Sequence, residues 1–400
     1  MEIRAEVERQ LAIIEQNAET VLPRDELARK IERSLRQERP LRAKLGIDPS
    51  ASQLTLGHAV VLRKLRAFQD LGHTAVLVVG DFTRRIGDPS GKSKTREPMS
   101  PEEIERNMRT YREQAFRILD PRKAEVRYNS EWLEKLTLAQ VVGLTARYTV
   151  ARMLEREDFQ RRFREGSAIT IMEFLYPLAQ AYDSVAVRAD IELGGSDQRF
   201  NLLIGRDIQE AYGQDPQAIL TMPLLIGIDG TFAMSQSRGN YIGVAEEPEE
   251  QFGKIMSIPD ERMPQYFQLL TDVSWAEAVS LHPKEAKKLL ARTLVSWFHG
   301  EDGARRGQEH FERVFEDEQP PEEMPEVLVG DLLDADRTAN IVDLLIEAGM
   351  TSSRSEARRL VEGGGVELDG EKITSHRDRV TVRAGTVLRA GKLRFARLVV

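Results

Sequence analysis

Apolar residues recur at helical spacing over the first forty positions, at Val7, Leu11 and Ile14 and again at Leu27, Ile31 and Leu35, so the chain is expected to open with a helical segment. LRAKLGID then reads as a strand ending in a turn, and GHAVVLRKLRAFQDLGH reads as an amphipathic helix stopped by Gly72. TAVLVVGDF is a near-continuous apolar run bounded by glycine, the pattern of a strand buried on both faces. Strand, helix and strand in close succession make a βαβ unit and predict a doubly wound parallel sheet, Rossmann-like in architecture. Residues 101–119, 136–157 and 171–181 carry helical periodicity, whereas VAVRADIELGG and AILTMPLLIG read as further strands. From Glu246 to Phe315 the pattern is almost wholly helical. The tail reads as two short helices followed by short strands with turns at Gly363–Gly365, Gly370, Gly385 and Gly391. The expected fold class is α/β, followed by an α-helical domain and a small α+β domain.

Charge changes that picture in one place. The net charge of −8 speaks weakly against nucleic-acid binding, yet it is unevenly distributed. Glu316 to Asp336 contains nine acidic residues and no Lys or Arg, while Ile341 to Val400 holds eleven Lys/Arg against eight Asp/Glu. An acidic linker is therefore expected between a large body and a small basic module. Cysteine is absent, which excludes disulfides, thiolate zinc sites and cysteine nucleophiles. The sequence MEIRAEVERQLAIIEQ lacks the apolar core of a signal peptide, and no run of 18 apolar residues occurs. A cytoplasmic protein with no membrane partner is the expectation.

Ligands of open α/β sheets sit at the carboxyl ends of strands, near helix N-termini. Asp48 and Ser50 follow the first of these strands, and Leu54-Thr55-Leu56-Gly57-His58 opens the next helix, where free N–H groups favour an anion. After the second strand, Gly80 to Lys92 forms a glycine- and proline-constrained turn with Asp88 placed for an ammonium, and Lys92, Lys94 and Arg96 follow as candidates for polyphosphate. Tyr176, Gln180 and Asp183 stand at i, i+4 and i+7, which puts a hydroxyl, an amide and a carboxylate on one helical face among apolar neighbours. Gly194-Gly195-Ser196-Asp197-Gln198 ends a further strand, and Asp197 suits a ribose diol. Gly230 to Tyr241 is a small polar loop of the kind that closes over a ligand. No Walker loop, GxGxxG fingerprint, GxSxG elbow or metal-ligand spacing occurs, so no metal site is expected.

Seven segments in order, KLGIDPSASQLTLGH, VGDFTRRIGDPSGKSKTR, YNSEWL, FLYPLAQAYDS, LGGSDQRFN, MPLLIGIDG and FAMSQSRGNYIG, resemble the bacterial tyrosyl-tRNA synthetases of class I over nearly the whole chain, and the tail resembles an S-four-type RNA-binding domain. The resemblance implies ATP-dependent attachment of L-tyrosine to tRNA(Tyr) through a tyrosyl-adenylate, with ATP and Mg²⁺ as substrate complex, no tightly bound cofactor, and a homodimer. It implies that Asp88, Tyr176 and Gln180 hold the tyrosine ammonium, that Asp183 accepts from the phenol, and that Asn129, Gln198 and Lys44 belong to the same pocket. Gly46, Asp48, Ser50, Gly57, His58, Gly195, Asp197, Leu224 and Leu225 would cradle ATP, with Arg96 and the Ala233-Met234-Ser235-Gln236-Ser237 loop at its phosphates. Catalytic groups would be Thr55, His58, Lys92 and Gln236. Arg354, Arg358, Arg359, Arg377, Arg379 and Arg383 would face RNA. The implied division is an N-terminal helical segment at 1–35, a catalytic domain at 36–230, the signature loop and an anticodon-binding helical domain at 231–318, the acidic linker at 319–336 and an RNA-binding domain at 337–400.

The departures bear on activity. Thr55 replaces the first signature histidine, and Ala233 and Gln236 replace both signature lysines, which removes two positive charges from the loop. Lys44 stands where many relatives carry a tyrosine, and Arg84 where a small residue is commoner. Two readings follow: an active synthetase with replacement charge from the arginines and lysines nearby, or a catalytically impaired relative acting as an RNA-binding protein. Tryptophan as substrate is disfavoured, because Asp183 suits a phenol.

Overall fold

The computed structural model describes residues 2–49, 53–88, 100–315, 324–391 and 394–400. It divides into two compact units, residues 1–301 and 302–400. The first is built on a six-stranded sheet whose strands are β1 (Thr20–Leu22), β2 (Arg42–Ile47), β3 (Thr74–Val79), β4 (Ala124–Tyr128), β5 (Ile191–Gly195) and β6 (Ala218–Met222). Their spatial order is β1-β6-β5-β2-β3-β4. Strands β2 to β6 run parallel, and β1 is added antiparallel against β6, with Thr20 opposite Thr221. The apolar runs of β3 and β6 are buried almost throughout, as strands covered on both faces require. Chain order reverses between β2 and β5, and that switch opens a crevice at their carboxyl ends.

Two helices frame the crevice. Leu56–Asp70 buries Ala59, Val60, Leu62, Leu65 and Phe68 and ends before Gly72, whose φ of 90° closes the turn. Ile171–Val187 starts at a Thr170–Glu173 capping box and packs Leu178 and Ala181 against Ile204 and Ile208 of the helix Arg199–Ala211. Past the crevice the chain is helical, and the run Pro283–Phe315 is broken at Gly300, with φ 72° and ψ 175°.

The second unit carries a five-stranded sheet, the short ladder Thr338–Asn340 with Arg379–Thr381, and the helices Ile341–Glu347 and Arg354–Glu362. Ile341, Leu344, Leu345, Val361, Leu388 and Leu398 form its core.

The α/β class with a small additional domain is what the sequence predicts, but four local expectations change. Residues 20–22, expected within the helical N-terminal segment, form the strand β1. The segment 136–157 is two helices, Leu138–Thr145 and Val150–Met153, because Thr149 turns its hydroxyl to the Arg152 N–H and caps a new start. Strand β4 was not anticipated, since its sequence AEVRY is half charged and half-buried throughout. Within the acidic stretch assigned to a linker, Glu326–Leu328 pairs parallel with Arg394–Val399, and Val329 is buried, so apolar side chains between the acids fold this segment onto the tail.

Candidate active site

The crevice holds a cavity of about 710 Å³. One wall is the helix Ile171–Val187, which presents Tyr176, Gln180 and Asp183 to it, as their spacing requires. Asp183 is buried, and both its oxygens are held: Trp132 Nε1 donates to Oδ1 at 2.8 Å, and Asn129 Nδ2 donates to Oδ2 at 3.2 Å. Burial pushes its carboxyl up to about 7, against the lowering influence of the Lys44 charge. Tyr176 donates its hydroxyl to Asp48 Oδ2 at 2.9 Å, and Thr83 donates to Asp48 Oδ1 at 2.9 Å. Burial and the negative charge of Asp88 raise Asp48 to about 6. Gln180 lines the cavity, and its Oε1 is buried with no hydrogen-bond donor among the described residues.

Asp88 and Gln198 also line the cavity, joined by a 3.1 Å hydrogen bond from Gln198 Nε2. Asn129 does not reach it. Its amide bridges Thr83 Oγ1 at 3.0 Å and Asp183, while its carbonyl accepts from the Phe82 N–H at 2.9 Å. Lys44 is the larger correction. It is absent from the cavity lining and wholly buried, with Nζ on the Gln180 carbonyl at 3.0 Å, Ser184 Oγ at 2.8 Å and Glu192 Oε1 at 2.9 Å. A residue in the middle of a covered strand lies beneath the pocket, whereas Gly46, two positions on, reaches the cavity.

The other wall is made by strand ends, the start of the helix Leu56–Asp70 and the loop 233–237. Thr55 is the N-cap and His58 stands at N3, so the signature segment doubles as a capping box. His58 Nδ1 accepts from the Thr55 N–H at 3.1 Å and lies 2.9 Å from Thr55 Oγ1. Burial lowers the imidazole to about 4, so the ring is neutral at pH 7. An Nδ1 that accepts leaves the proton on Nε2, which makes His58 a hydrogen-bond donor at the cavity. At Gly195 a Cβ would lie 2.6 Å from Asp197 Oδ1 and 2.9 Å from Leu224 Cδ2, so a larger residue there would displace the side chains of Asp197 and Leu224. Gly46, Asp48, Gly57, Asp197, Leu224 and Leu225 line the same cavity. The Leu224 and Leu225 carbonyls already accept, from Gln265 Nε2 and the Met234 N–H, so only their remaining surface faces a ligand.

The loop is fastened rather than loose. Ala233 bridges Ile226, the Ser235 N–H donates to Asn240 Oδ1 at 2.8 Å, and Asn240 Nδ2 donates to Asp229 Oδ2 at 2.8 Å. Ser235 and Ser237 share a hydrogen bond, and Gln236 Nε2 donates to the backbone carbonyl of Gln53. Gln236, expected to address phosphate, therefore uses one amide hydrogen to tie the loop to the segment that leads into Thr55. All of Ala233, Met234, Ser235, Gln236 and Ser237 line the cavity. Ser50, Lys92 and Arg96 lie outside the described residues.

Sequence reasoning missed Thr83 and the roles of Trp132 and Asn240. Trp132 was within a recognised segment, but no spacing connects position 132 to position 183. In the second unit Arg354, Arg358, Arg359, Arg377, Arg379 and Arg383 are all exposed; Arg354 pairs with Asp343 at 2.7 Å and Arg379 with Asp334 at 2.6 Å. Arg379 also bonds Thr338, so that side chain is part of the ladder's own structure.

Residues 36–316 match the family described as tRNA synthetases class I (W and Y), and residues 318–397 match a tyrosine–tRNA ligase SYY-like C-terminal domain. The chain is 51% identical to a tyrosine–tRNA ligase of Thermotoga maritima, over 98% of this chain and 97% of that one. It is 49% identical to a tyrosine–tRNA ligase of Moorella thermoacetica, over 99% and 97%. Among solved structures, a tyrosyl-tRNA synthetase of Archaeoglobus fulgidus complexed with L-tyrosine superposes with a TM-score of 0.61 at 24% identity, over 75% of this chain and 99% of that one. A C-terminally truncated mitochondrial tyrosyl-tRNA synthetase of Coccidioides posadasii gives 0.63 at 22%, over 76% and 94%. At those identities the structural likeness speaks for the fold.

Proposed function

The chain belongs to the class I tyrosine–tRNA ligases, and from that premise we infer how its cavity joins L-tyrosine to tRNA(Tyr) with ATP. The observation that carries the reading is the pairing of two walls in one cavity: Tyr176, Gln180 and Asp183 on a helix, and Thr55, His58 and the loop 233–237 opposite. Asp183 accepts the phenol hydroxyl, and Gln180 Oε1 with Asp88 and Tyr176 receives the ammonium. The tyrosine carboxylate then attacks the α-phosphorus of ATP, the bond to the β-phosphate bridge breaks, and pyrophosphate leaves. The terminal ribose hydroxyl of the tRNA next attacks the adenylate carbonyl, and AMP departs.

No side chain forms a covalent bond, so the rate comes from positioning and from donors aimed at developing charge. His58 supplies its Nε2–H to that charge and Gln236 its free amide hydrogen, while the Thr55 hydroxyl, directed at His58 Nδ1, holds that tautomer. Gly46, Gly57 and Gly195 leave room for the nucleotide, Asp197 takes the ribose and Asp48 shapes the floor. Mg²⁺ arrives on ATP, and Lys92 and Arg96 complete the phosphate charge. Gln198 and Asn129 act on this pocket through Asp88 and Asp183.

Arg358, Arg359, Arg377 and Arg383 of the tail give it an RNA-facing surface, and their electrostatic contribution weakens with salt. No described helix is long and apolar enough to cross a membrane. We place the protein in the cytoplasm, where tRNA is charged. Leu138, Val142, Val150, Phe163 and Ile171 are exposed apolar residues of the first unit, and a second copy covers them in a homodimer.

Tyrosine-dependent ATP–pyrophosphate exchange tests the reading. Exchange with tyrosine and little with phenylalanine is expected; none above background, with tRNA binding intact, overturns it. Phe163→Asp is expected to convert a dimeric species into monomer in sedimentation, and a mass unchanged from wild type at the monomer value removes the dimer.

A further inference from the structure

Lys44 and Glu192 are among the most buried charges in the chain, at 0% and 1% side-chain exposure, yet neither lines the cavity. Removing two charges from water costs more than their attraction returns unless every polar atom is satisfied, so such a pair is weak evidence for stability. Here the satisfaction is nearly complete. The ammonium has three donors, and the Gln180 carbonyl, Ser184 Oγ and Glu192 Oε1 take all three. Glu192 Oε2 accepts from Ser184 Oγ at 3.0 Å and from Gln217 Nε2, which also reaches the Leu202 carbonyl. Lys44 thus has no hydrogen left for a ligand, which removes it as a direct phenol contact. Its partners Gln180 and Ser184 instead bracket Asp183 on the same helical turn.

We propose that Lys44, paired with Glu192 beneath the pocket, is a positioning residue for tyrosine selection: it fixes the helical turn that carries Asp183 and sets a positive charge under that carboxylate. The inference rests on the reading of Asp183 as the phenol's acceptor. The groups facing Asp183 are Lys44 from β2, Glu192 from β5, the neutral donors Asn129 and Trp132 after β4, and Tyr176 on its own helix. Lys44 favours the ionised carboxylate and Glu192 opposes it, while burial alone would hold Asp183 protonated. Ionisation matters for selection. A buried carboxylate left without the phenol's hydrogen bond is penalised more than a buried neutral acid, so phenylalanine is rejected most strongly when Asp183 is charged.

The pair therefore makes an opposite-sign prediction that a purely structural role does not. In the exchange reaction, kcat/KM for tyrosine reports ionisations of the free enzyme. Lys44→Met is expected to move the Asp183 midpoint upward by about one pH unit, and Glu192→Gln to move it downward, with the double variant between them. At pH 7 Lys44→Met should lose about fivefold in tyrosine-over-phenylalanine preference, because the ionised fraction of Asp183 falls from about one half to about one tenth, and recover most of it at pH 8.5. Shifts of the same sign in both single variants, or lower melting temperatures without any midpoint shift, overturn the proposal. Should Lys44→Met not fold, Glu192→Gln alone decides, because it keeps the cation and an unmoved midpoint is then fatal. Asp183→Asn separates the layers: if it leaves the tyrosine/phenylalanine ratio and the pH profile at wild-type values, the reading of Asp183 itself has failed.

Discussion

On the helix wall of the cavity, polar groups are committed before any ligand arrives. Asp183 holds Trp132 and Asn129, Tyr176 holds Asp48, and a buried ion pair braces the turn from below. On the loop wall, the contacts of 233–240 are mostly loop-internal or made to backbone, and positions 233 and 236 are an alanine and an amide. The helix wall is thus preorganised by contacts among charged and polar side chains, whereas the loop wall is held largely by the amides of Asn240 and Gln236 on backbone groups, and its charge at the cavity is that of Arg238. Selection of the amino acid needs a fixed acceptor with a defined charge. Handling of pyrophosphate needs donors that arrive with the leaving group. The two walls place their rigidity and their charge accordingly.

The largest effect is expected from emptying the helix wall. Asp183→Ala should lower kcat/KM for tyrosine about 10–100-fold, as loss of a hydrogen bond to a charged group implies, and should raise relative use of phenylalanine. Steady-state exchange with both amino acids measures it; an unchanged ratio would refute the role.

Proton concentration sharpens the contrast next. Because Asp183 titrates near 7 and Asp48 near 6, kcat/KM for tyrosine should begin to fall as pH drops below 7, approaching about tenfold per unit, and more steeply below 6 where both carboxylates are protonated, while His58, near 4, stays neutral. The folding linkage has the opposite sign. Asp183 has a higher pKa folded than its unfolded value of about 3.9, so its contribution to stability declines as pH rises from about 4 to about 7. A pH series of melts against exchange rates would display the two trends crossing.

On the loop wall, Asn240→Ala leaves the Ser235 N–H and Asp229 without their shared partner. We expect about a 3–10-fold rise in KM for ATP, equivalent to about one net hydrogen bond, with KM for tyrosine unchanged. Equal rises in both constants would mean that the walls are not separable. The smallest effect belongs to Gln236→Lys. A charge-assisted donor is roughly twice as strong as a neutral one, so single-turnover adenylate formation should quicken a few-fold. A flat response beside a crippled Lys92→Ala would place the phosphate charge in the turn after β3 instead.

Legibility followed the same division. Tyr176, Gln180 and Asp183 could be read as one face because a helix fixes which residues share it. The helix start at Leu54–His58 was legible in one motif, but the capping box was not, because histidine stands at N3 where the signature has Glu or Gln. Lys44 was placed in the pocket by the resemblance alone, and a matching position does not tell how deep beneath a covering helix a different side chain lies. Strand β4 escaped because an edge strand of charged residues has no apolar run, and Glu326–Leu328 because acids masked Val327 and Val329. Trp132 and Asn240 act across loops, where no periodicity links partners.

The strand β1 sets a schedule for making this protein. Its partner β6 is the last strand of the sheet, so Thr20 waits for Thr221. At about 5–20 residues per second of synthesis, that interval is roughly 10–40 s. Until then the first strand off the ribosome has unpaired backbone and nothing to pair with but itself or a neighbour. The charged helices Glu2–Glu15 and Arg24–Gln37 that flank it serve, during that wait, as its solubilising escort.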